Sequence, residues 1–315
     1  MPVMKRILIR ITLALSLCAA SVGGAAAQSC TATMDDFNFG TTSVRGGSTP
    51  QTLGTLRVDC EALLGLISTV NICITVGAGD GGAGPSNSPR YMRRADGNQL
   101  AYQLYRGGYG GTILNGISGV QLSLLGSSVF EETIYAEILD SGTSVKGGYY
   151  DSNFFGGVDF VVTAGTLLSC TSQGQQDTGD FTVSADIEPS CTVSAGTLDF
   201  GTLGTTVSAP VTGQATIDVT CSNGIPYTVY LGQGQGMSVT DPTGRKMTSG
   251  SNTLTYGLYR NQALSAPWGW TAGVDGYAAT GTGALQSVPV YGQISAGQTV
   301  PVGVYNDSVV ITVDY

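Results

Sequence analysis

The sequence predicts an all-β protein made of two tandem domains, and three observations carry this prediction. Cys30, Phe39-Gly40-Thr41 and Cys60 recur as Cys191, Phe200-Gly201-Thr202 and Cys221, every one shifted by 161 positions. Runs typical of strands alternate along the chain with clusters of Gly, Asn, Asp and Pro. The 47 glycines and the low share of charged residues, 11%, favour strands and turns over amphipathic helices.

The repeat continues beyond the cysteines with small insertions and deletions. Residues 100–106 match residues 254–260, and residues 134–138 match residues 290–294. A shared order of matching segments indicates two copies of one fold. Because the strand-forming runs follow one another at the spacing of a sandwich, each domain is predicted to be an immunoglobulin-like β-sandwich.

The N-terminal segment predicts export from the cytoplasm. Basic Lys5, Arg6 and Arg10 accompany an apolar run over residues 7–20 and the small residues 25–27. This pattern is typical of a secretory signal over residues 1–27, and its apolar run is shorter than a membrane span. The two domains are then residues 28–175 and 176–315. Loss of the three basic residues changes the net charge from −9 to −12, which argues against nucleic acid as a partner, because phosphate binding depends on clusters of Lys and Arg.

Six cysteines follow the signal, an even number that favours disulfides in an exported protein. The repeat pairs Cys30 with Cys60 and Cys191 with Cys221, and the remaining Cys73 and Cys170 are predicted to join each other. No Cys-x-x-Cys spacing and no histidine occur in the chain, so no metal site is expected.

The same residues argue against an enzyme. A serine or cysteine nucleophile would lack its usual histidine base, and the chain has no G-x-S-x-G turn. The adjacent carboxylates Asp35-Asp36 and Glu131-Glu132 would point to opposite faces of a strand, so they do not make an acid and base pair. We therefore expect no catalytic residue and no cofactor.

The second repeat closely resembles the spore coat U family. The matching motifs include Cys191-Thr-Val, Leu198-Asp-Phe-Gly-Thr, Ile217-Asp-Val-Thr-Cys221, Arg245-Lys-Met247, Trp268-Gly269 and the run from Tyr305 to Tyr315. The resemblance covers residues 181–315 and is looser over residues 28–170, where the Trp-Gly element is missing. That family supplies secreted subunits of archaic, Csu-type chaperone-usher pili, and its two-domain members resemble the tip adhesin.

The resemblance implies that the C-terminal domain is an incomplete pilin sandwich that needs a donor strand from a neighbour. Its implied partners are a periplasmic pilus chaperone, an outer-membrane usher and an adjacent pilin subunit. The predicted subunit and chaperone interface is the final strand, with Val309, Ile311, Val313 and Tyr315. Because only Gln28 and Ser29 precede Cys30 in the mature chain, we expect no N-terminal donor strand, as suits a subunit at the fimbrium tip.

A candidate donor strand lies between the domains. Its alternating apolar residues are Phe181, Val183, Ala185 and Ile187. This segment either completes the first domain in cis or forms the first strand of the second domain, and the sequence leaves both interpretations open.

The first domain carries apolar residues where loops are expected, and we predict that some of them attach to an abiotic or host surface and support biofilm formation. The candidate adhesive residues are Leu63, Leu64, Leu66, Ile67, Ile113, Leu114, Ile117, Tyr149, Tyr150, Phe154 and Phe155. The alternative for each segment is an ordinary core strand. Two other functions stay open: a purely structural pilus or coat subunit, and a glycan-binding lectin using tyrosines such as Tyr105 and Tyr109.

Overall fold

The computed structural model describes residues 28–45, 49–62, 69–123, 127–165 and 175–315, and this part of the chain is built almost entirely of β-strands. One short 3-10 helix, Pro85–Asn87, lies among them. Strands of residues 28–187 pair with one another, and strands of residues 191–315 pair with one another. We call these parts the N-terminal and C-terminal sandwiches. The predicted all-β fold with two tandem sandwiches is confirmed.

The N-terminal sandwich consists of two sheets. Its described strands are β1 (Gln28–Met34), β2 (Phe37–Thr42), β3 (Gln51–Ala62), β4 (Thr69–Val76), β5 (Arg90–Arg93), β6 (Gln99–Arg106), β7 (Thr112–Ile113), β8 (Gly116–Ser123), β9 (Ser127–Ile138), β10 (Gly148–Phe154), β11 (Phe160–Gly165), β12 (Gln175–Thr178) and β13 (Phe181–Ile187). One sheet has the order β1-β3-β9-β6-β5-β10-β13-β2, with β7 beside β6, and the other has the order β12-β11-β4-β8.

The C-terminal sandwich has the same plan with fewer strands. These are β14 (Cys191–Ala195), β15 (Thr206–Val207), β16 (Val211–Cys221), β17 (Pro226–Leu231), β18 (Arg245–Ser249), β19 (Asn252–Tyr259), β20 (Tyr277–Thr280), β21 (Gln286–Ile294), β22 (Gln298–Thr299) and β23 (Ile311–Asp314). Their orders are β14-β16-β21-β19-β18 in the main sheet, β20-β17-β23 in the opposite sheet, and β15-β22 as a separate pair.

Each sandwich has its own hydrophobic core, as the alternation of apolar residues requires. In each sandwich a disulfide links the first strand to the neighbouring strand, Cys30–Cys60 in one and Cys191–Cys221 in the other. The pairing predicted from the repeat is confirmed. Cys73 is also disulfide-bonded. Its predicted partner, Cys170, lies outside the described residues.

The chain crosses between the sandwiches at residues 188–190. Both β12 and β13 pair with strands of the N-terminal sandwich, so the crossing comes later than the boundary predicted between residues 175 and 176. The predicted signal segment, residues 1–27, lies outside the described residues. Within the described ranges, no helix is long and apolar enough to cross a membrane, and no group of three or more metal-binding side chains forms.

Candidate functional site: an open apolar groove

An apolar groove opens along the C-terminal sandwich. It runs between two segments without assigned strands, which we call the first wall (residues 197–205) and the second wall (residues 303–309). Two adjoining cavities of about 310 and 610 Å³ occupy it. Its apolar lining comprises Leu198, Phe200, Ile217, Leu231, Met247, Leu258, Val290, Val309 and Ile311. The groove therefore opens part of the sandwich core to solvent.

In the N-terminal sandwich, β13 fills the same place. It runs parallel to β2, with Val183 opposite Phe37, and antiparallel to β10, with Phe181 opposite Phe154. The four alternating side chains predicted from the sequence, Phe181, Val183, Ala185 and Ile187, all lie in the N-terminal core. The ring of Phe181 stacks on Phe154 with the two centroids 4.2 Å apart.

The internal repeat shows that the two places correspond. A shift of 161 residues relates the Phe-Gly-Thr motif of β2 to the same motif in the first wall. On the other side, the Tyr150 hydroxyl donates to the Lys146 carbonyl at 2.8 Å, and the Tyr305 hydroxyl donates to the Pro301 carbonyl at 2.9 Å. Because each tyrosine bonds four residues back, β10 corresponds to the second wall. The open groove is thus the site that β13 occupies in the first repeat.

Burial of the corresponding side chains reflects this difference. Phe37, Tyr150 and Phe154 are at most 1% exposed, whereas their counterparts Leu198, Tyr305 and Val309 are only half-buried. An extended segment with apolar residues at alternate positions would cover them, at about 1.5 to 3 kcal/mol for each large apolar side chain that it buries. It would also pair with backbone groups of both walls.

A buried arginine fixes the structure behind the groove. Arg245 donates from Nε to the Gly232 carbonyl at 2.8 Å and from Nη1 to the Pro242 carbonyl at 2.7 Å. Its Nη2 donates to the Leu231 and Trp268 carbonyls at 2.7 and 2.8 Å. Burial lowers the pKa of Arg245 to about 10, so the guanidinium stays charged at neutral pH.

Arg90 makes a corresponding set of hydrogen bonds to backbone carbonyls in the N-terminal sandwich. It donates to the carbonyls of Val76, Gly77 and Leu114, and burial likewise lowers its pKa to about 10. Sequence reasoning missed this role. The signal was present, because a shift of 155 residues relates Arg90 to Arg245 and relates the acceptors Val76 and Gly77 to Leu231 and Gly232.

Asp307 ties the second wall to the sheets behind it. Its carboxylate accepts from the Tyr256 hydroxyl at 2.6 Å and from the Gln235 backbone N–H at 2.6 Å. Burial of Tyr256, together with the hydrogen bond to Asp307, raises the pKa of that phenol well above its usual value. The wall is therefore held in place although it is in no assigned strand.

The residues predicted to form the subunit and chaperone interface divide into two pairs. Val309 and Ile311 line the groove. Val313 lies opposite Val229 of β17 and is half-buried against the C-terminal core, while Tyr315 is exposed beyond β23. The groove thus collects only the first two of the four.

Several predicted adhesive residues are in the core instead. Leu114, Ile117, Tyr150 and Phe154 are buried in the N-terminal sandwich, and Ile113 is half-buried in β7. The prediction that the four buried residues form contact loops is wrong, because side chains that face the core cannot touch a foreign surface. Tyr149 and Phe155 are exposed. Leu63, Leu64, Leu66 and Ile67 lie outside the described residues.

Strand ends around three segments meet at one end of the N-terminal sandwich. Glu61 lies opposite Ser127, Thr69 lies opposite Ser123, and Gly165 lies opposite Asn71. Five strand ends therefore lie together, remote from the crossing at residues 188–190. They are the ends that flank residues 63–68, the ends that flank residues 124–126, and the end of the strand before residue 166. We call this the distal end. Tyr149, opposite Asp186, lies near the crossing instead.

Two comparisons of the sequence with known proteins agree. The family profile described as Spore Coat Protein U domain matches residues 16–154 and 177–312. Protein U of Myxococcus xanthus is 30% identical over 171 residues, which span 49% of this chain and 94% of that protein.

Two solved structures are similar over most of the chain. One is a chain of the chaperone-tip adhesion subunit pre-assembly complex CsuC-CsuE, from archaic chaperone-usher Csu pili of Acinetobacter baumannii. It is 17% identical, with a TM-score of 0.50, over 91% of this chain and 100% of that chain, a likeness of fold. The other is the CupB6 tip adhesin from Pseudomonas aeruginosa, 13% identical over 91% of this chain and 96% of that chain, with a TM-score of 0.35.

Proposed function

Because the chain belongs to the Spore Coat Protein U domain family, we propose that it is the tip subunit of a secreted pilus assembled by the chaperone-usher route. The open groove of the C-terminal sandwich carries the proposal. A sandwich with an exposed core groove between two walls that lie in no assigned strand needs an extended segment from another chain. A periplasmic chaperone would supply it first, and the adjacent pilin subunit would replace it at the outer-membrane usher.

The N-terminal sandwich supports a position at the tip. Its own β13 fills the place where a foreign strand would bind. Among the described residues one acceptor groove therefore stays open, in the C-terminal sandwich, and the chain joins the fibre through that sandwich. The N-terminal sandwich then extends beyond the last joint of the fibre.

We further propose that the distal end attaches the pilus to abiotic or host surfaces and so promotes biofilm formation. The strands before and after the apolar residues Leu63, Leu64, Leu66 and Ile67 end there, remote from the sandwich that joins the fibre. An apolar run between two strands that end at the free end of an exported subunit suits adhesion to a hydrophobic surface. The N-terminal sandwich is on this account a binding module without catalytic function.

Two neighbouring valines test the acceptor groove. Val309 lines the groove, whereas the side chain of Val310 is exposed. In cells that also produce the periplasmic chaperone, we expect Val309→Asp to abolish co-purification of the chaperone and display on the cell surface. Val310→Asp should retain both. Equal capture of the two variants would refute the groove as the acceptor.

Adhesion is tested separately on assembled pili. We expect Leu64→Ser with Leu66→Ser to leave the amount of surface pili unchanged and to reduce attachment to polystyrene. Leu53→Ser removes an exposed leucine near the start of β3, away from the distal end, and should leave attachment intact. If the double variant still attaches normally, the subunit is a structural cap and adhesion belongs elsewhere.

A further inference from the structure

Resting on the proposed function, we propose that the donor for the C-terminal sandwich is a two-part segment that joins both sheets, built like residues 175–187 of this chain. Its first part would pair with β23 and cover β14. Its second part would fill the groove between the two walls. The partner is thus a segment of about thirteen residues with a tight turn inside it, longer than the groove alone requires.

Residues 175–187 have this form in the N-terminal sandwich. β12 pairs with β11 from Thr178 opposite Val161 to Gln175 opposite Ala164. The Asp177 carboxylate accepts from the Ala32 backbone N–H of β1 at 2.5 Å. The strand β12 therefore fastens the first strand of one sheet to an edge of the other.

A tight turn then carries the chain from one sheet to the other. At Gly179, a Cβ would lie 3.1 Å from the Ala32 carbonyl oxygen and 3.2 Å from the Phe160 ring, so the passage suits glycine. After Asp180 the chain enters β13 in the main sheet, and Thr182 N–H donates to Asp36 at 2.7 Å. One continuous segment completes both sheets.

The C-terminal sandwich leaves both of the corresponding places open. The 161-residue shift relates Ala32 to Val193 and Met34 to Ala195. Ala32 is 5% exposed, whereas Val193 is 40% exposed. In the opposite sheet, β11 lies between β4 and β12, but its counterpart β23 pairs with β17 and stands at the edge. A strand confined to the groove would leave β14 and this edge uncovered.

The chemistry of the donor follows from these positions. The part that pairs with β23 lies at the side of the sandwich and can be polar, as the Gln, Gln, Asp and Thr of β12 are. It needs a carboxylate or another acceptor opposite the Val193 N–H. A glycine suits the turn, and apolar residues then alternate with polar ones, as Phe181, Val183, Ala185 and Ile187 do.

The experiment extends the full chain at its C-terminus. A Gly/Ser linker as long as residues 166–174 would precede a copy of either residues 175–187 or residues 181–187. We expect both extensions to raise the melting temperature of the C-terminal sandwich and the longer one to raise it further. Only the longer one should slow hydrogen exchange at the Val193 amide, by roughly tenfold or more, as expected for a hydrogen bond to a charged acceptor.

Two changes within the longer copy serve as controls. Asp177→Ala in the copy should remove the protection of Val193 and keep most of the thermal gain. Val183→Asp in the copy should remove the thermal gain. If the short and long copies give the same gain and Val193 stays unprotected, the two-part donor is wrong while the acceptor groove stands. If neither copy raises the melting temperature, the proposed acceptor groove fails as well.

Discussion

Arg245 shows how a single buried side chain can hold together backbone groups that are distant in sequence. Its guanidinium donates hydrogen bonds to four backbone carbonyls. Two of them, Leu231 and Gly232, lie at the end of β17, and the other two belong to Pro242 and Trp268. A lysine in its place would offer a compact charge without the planar fork that reaches several acceptors at once. The arginine is therefore a structural requirement of the C-terminal sandwich.

We predict that Arg245→Met destabilises the C-terminal sandwich by about 3 kcal/mol, since buried carbonyls lose their donors. The measurement is the urea midpoint of the C-terminal unfolding transition in the full chain. Lys246→Met is the matched control, because Lys246 follows in the same strand and makes an exposed bond to the Met237 carbonyl. It should change stability by no more than about 0.5 kcal/mol. An unchanged midpoint for Arg245→Met would show that the four hydrogen bonds of Arg245 do not stabilise the sandwich.

Tyr256 gives a prediction about alkaline pH. Burial and the hydrogen bond to Asp307 raise the pKa of its phenol in the folded state, so the folded protein holds this proton more tightly than the unfolded chain. The resulting stability is fully present below the ordinary tyrosine pKa of about 10 and falls as the pH rises above it. The Tyr256→Phe variant lacks this dependence.

The measurement is the free energy of unfolding of wild type and Tyr256→Phe between pH 8 and pH 11. We expect wild type to be more stable at pH 8 by about 1 to 2 kcal/mol, because the variant loses the bond to a carboxylate. The difference should shrink above about pH 10. Tyr315→Phe, at an exposed tyrosine, controls for the loss of a phenol and should follow wild type throughout. A pH-independent difference would contradict the role of Asp307.

The strand β13 illustrates what alternation in a sequence can and cannot predict. The pattern of Phe181, Val183, Ala185 and Ile187 predicted which side chains are buried, since alternate residues of a strand share a face. It left open which domain they complete, because that depends on pairing with β2 and β10, distant in sequence. The pairing places all four in the N-terminal core. Their use as a model for strands exchanged between subunits stays a prediction.

The buried residues of β10 were missed for a related reason. Tyr150, Ser152 and Phe154 occupy the inward positions of this strand. Apolar residues do not alternate with polar ones along this strand, because a serine occupies the middle inward position and aromatic residues stand in pairs at both ends. The sequence therefore resembles a tyrosine-rich loop. The structure relates Tyr150 to Tyr305 of the second wall, because the two hydroxyls make the same local bond.

We predict that Val183→Asp unfolds or strongly destabilises the N-terminal sandwich, by about 4 kcal/mol or more, because it places an unpaired charge in the core. Ser184→Asp changes the next residue, whose side chain points to the other face of β13, and should cost much less. Tryptic digestion and thermal unfolding of the two variants measure the difference. Equal resistance of both variants would show that β13 is dispensable to this sandwich.

Contacts between the sandwiches set how the whole chain is arranged. The Thr143 hydroxyl donates to the Gly283 carbonyl at 2.9 Å, and the Thr143 carbonyl accepts from Asn223 N–H at 3.1 Å. A crossing of only three residues, 188–190, lies beside them. The structure thus joins a completed sandwich to an open one through a close contact, which would hold the N-terminal sandwich in a fixed direction relative to the C-terminal one.

Gly283 is the position at which this arrangement can be tested. A Cβ there would lie 3.0 Å from the Ser144 Cα and 3.0 Å from the Thr143 carbonyl oxygen, and its φ is +76°. We predict that Gly283→Val separates the two sandwiches and increases the radius of gyration measured by small-angle X-ray scattering. Gly297→Val is the control, since Gly297 has a φ of +89° and no atom within 4 Å of its Cβ position. It imposes the same kind of backbone strain, of order 1 to 3 kcal/mol, without touching the other sandwich. If Gly283→Val scatters like Gly297→Val, the direction of the N-terminal sandwich is set by the three-residue crossing and not by the contact at Thr143.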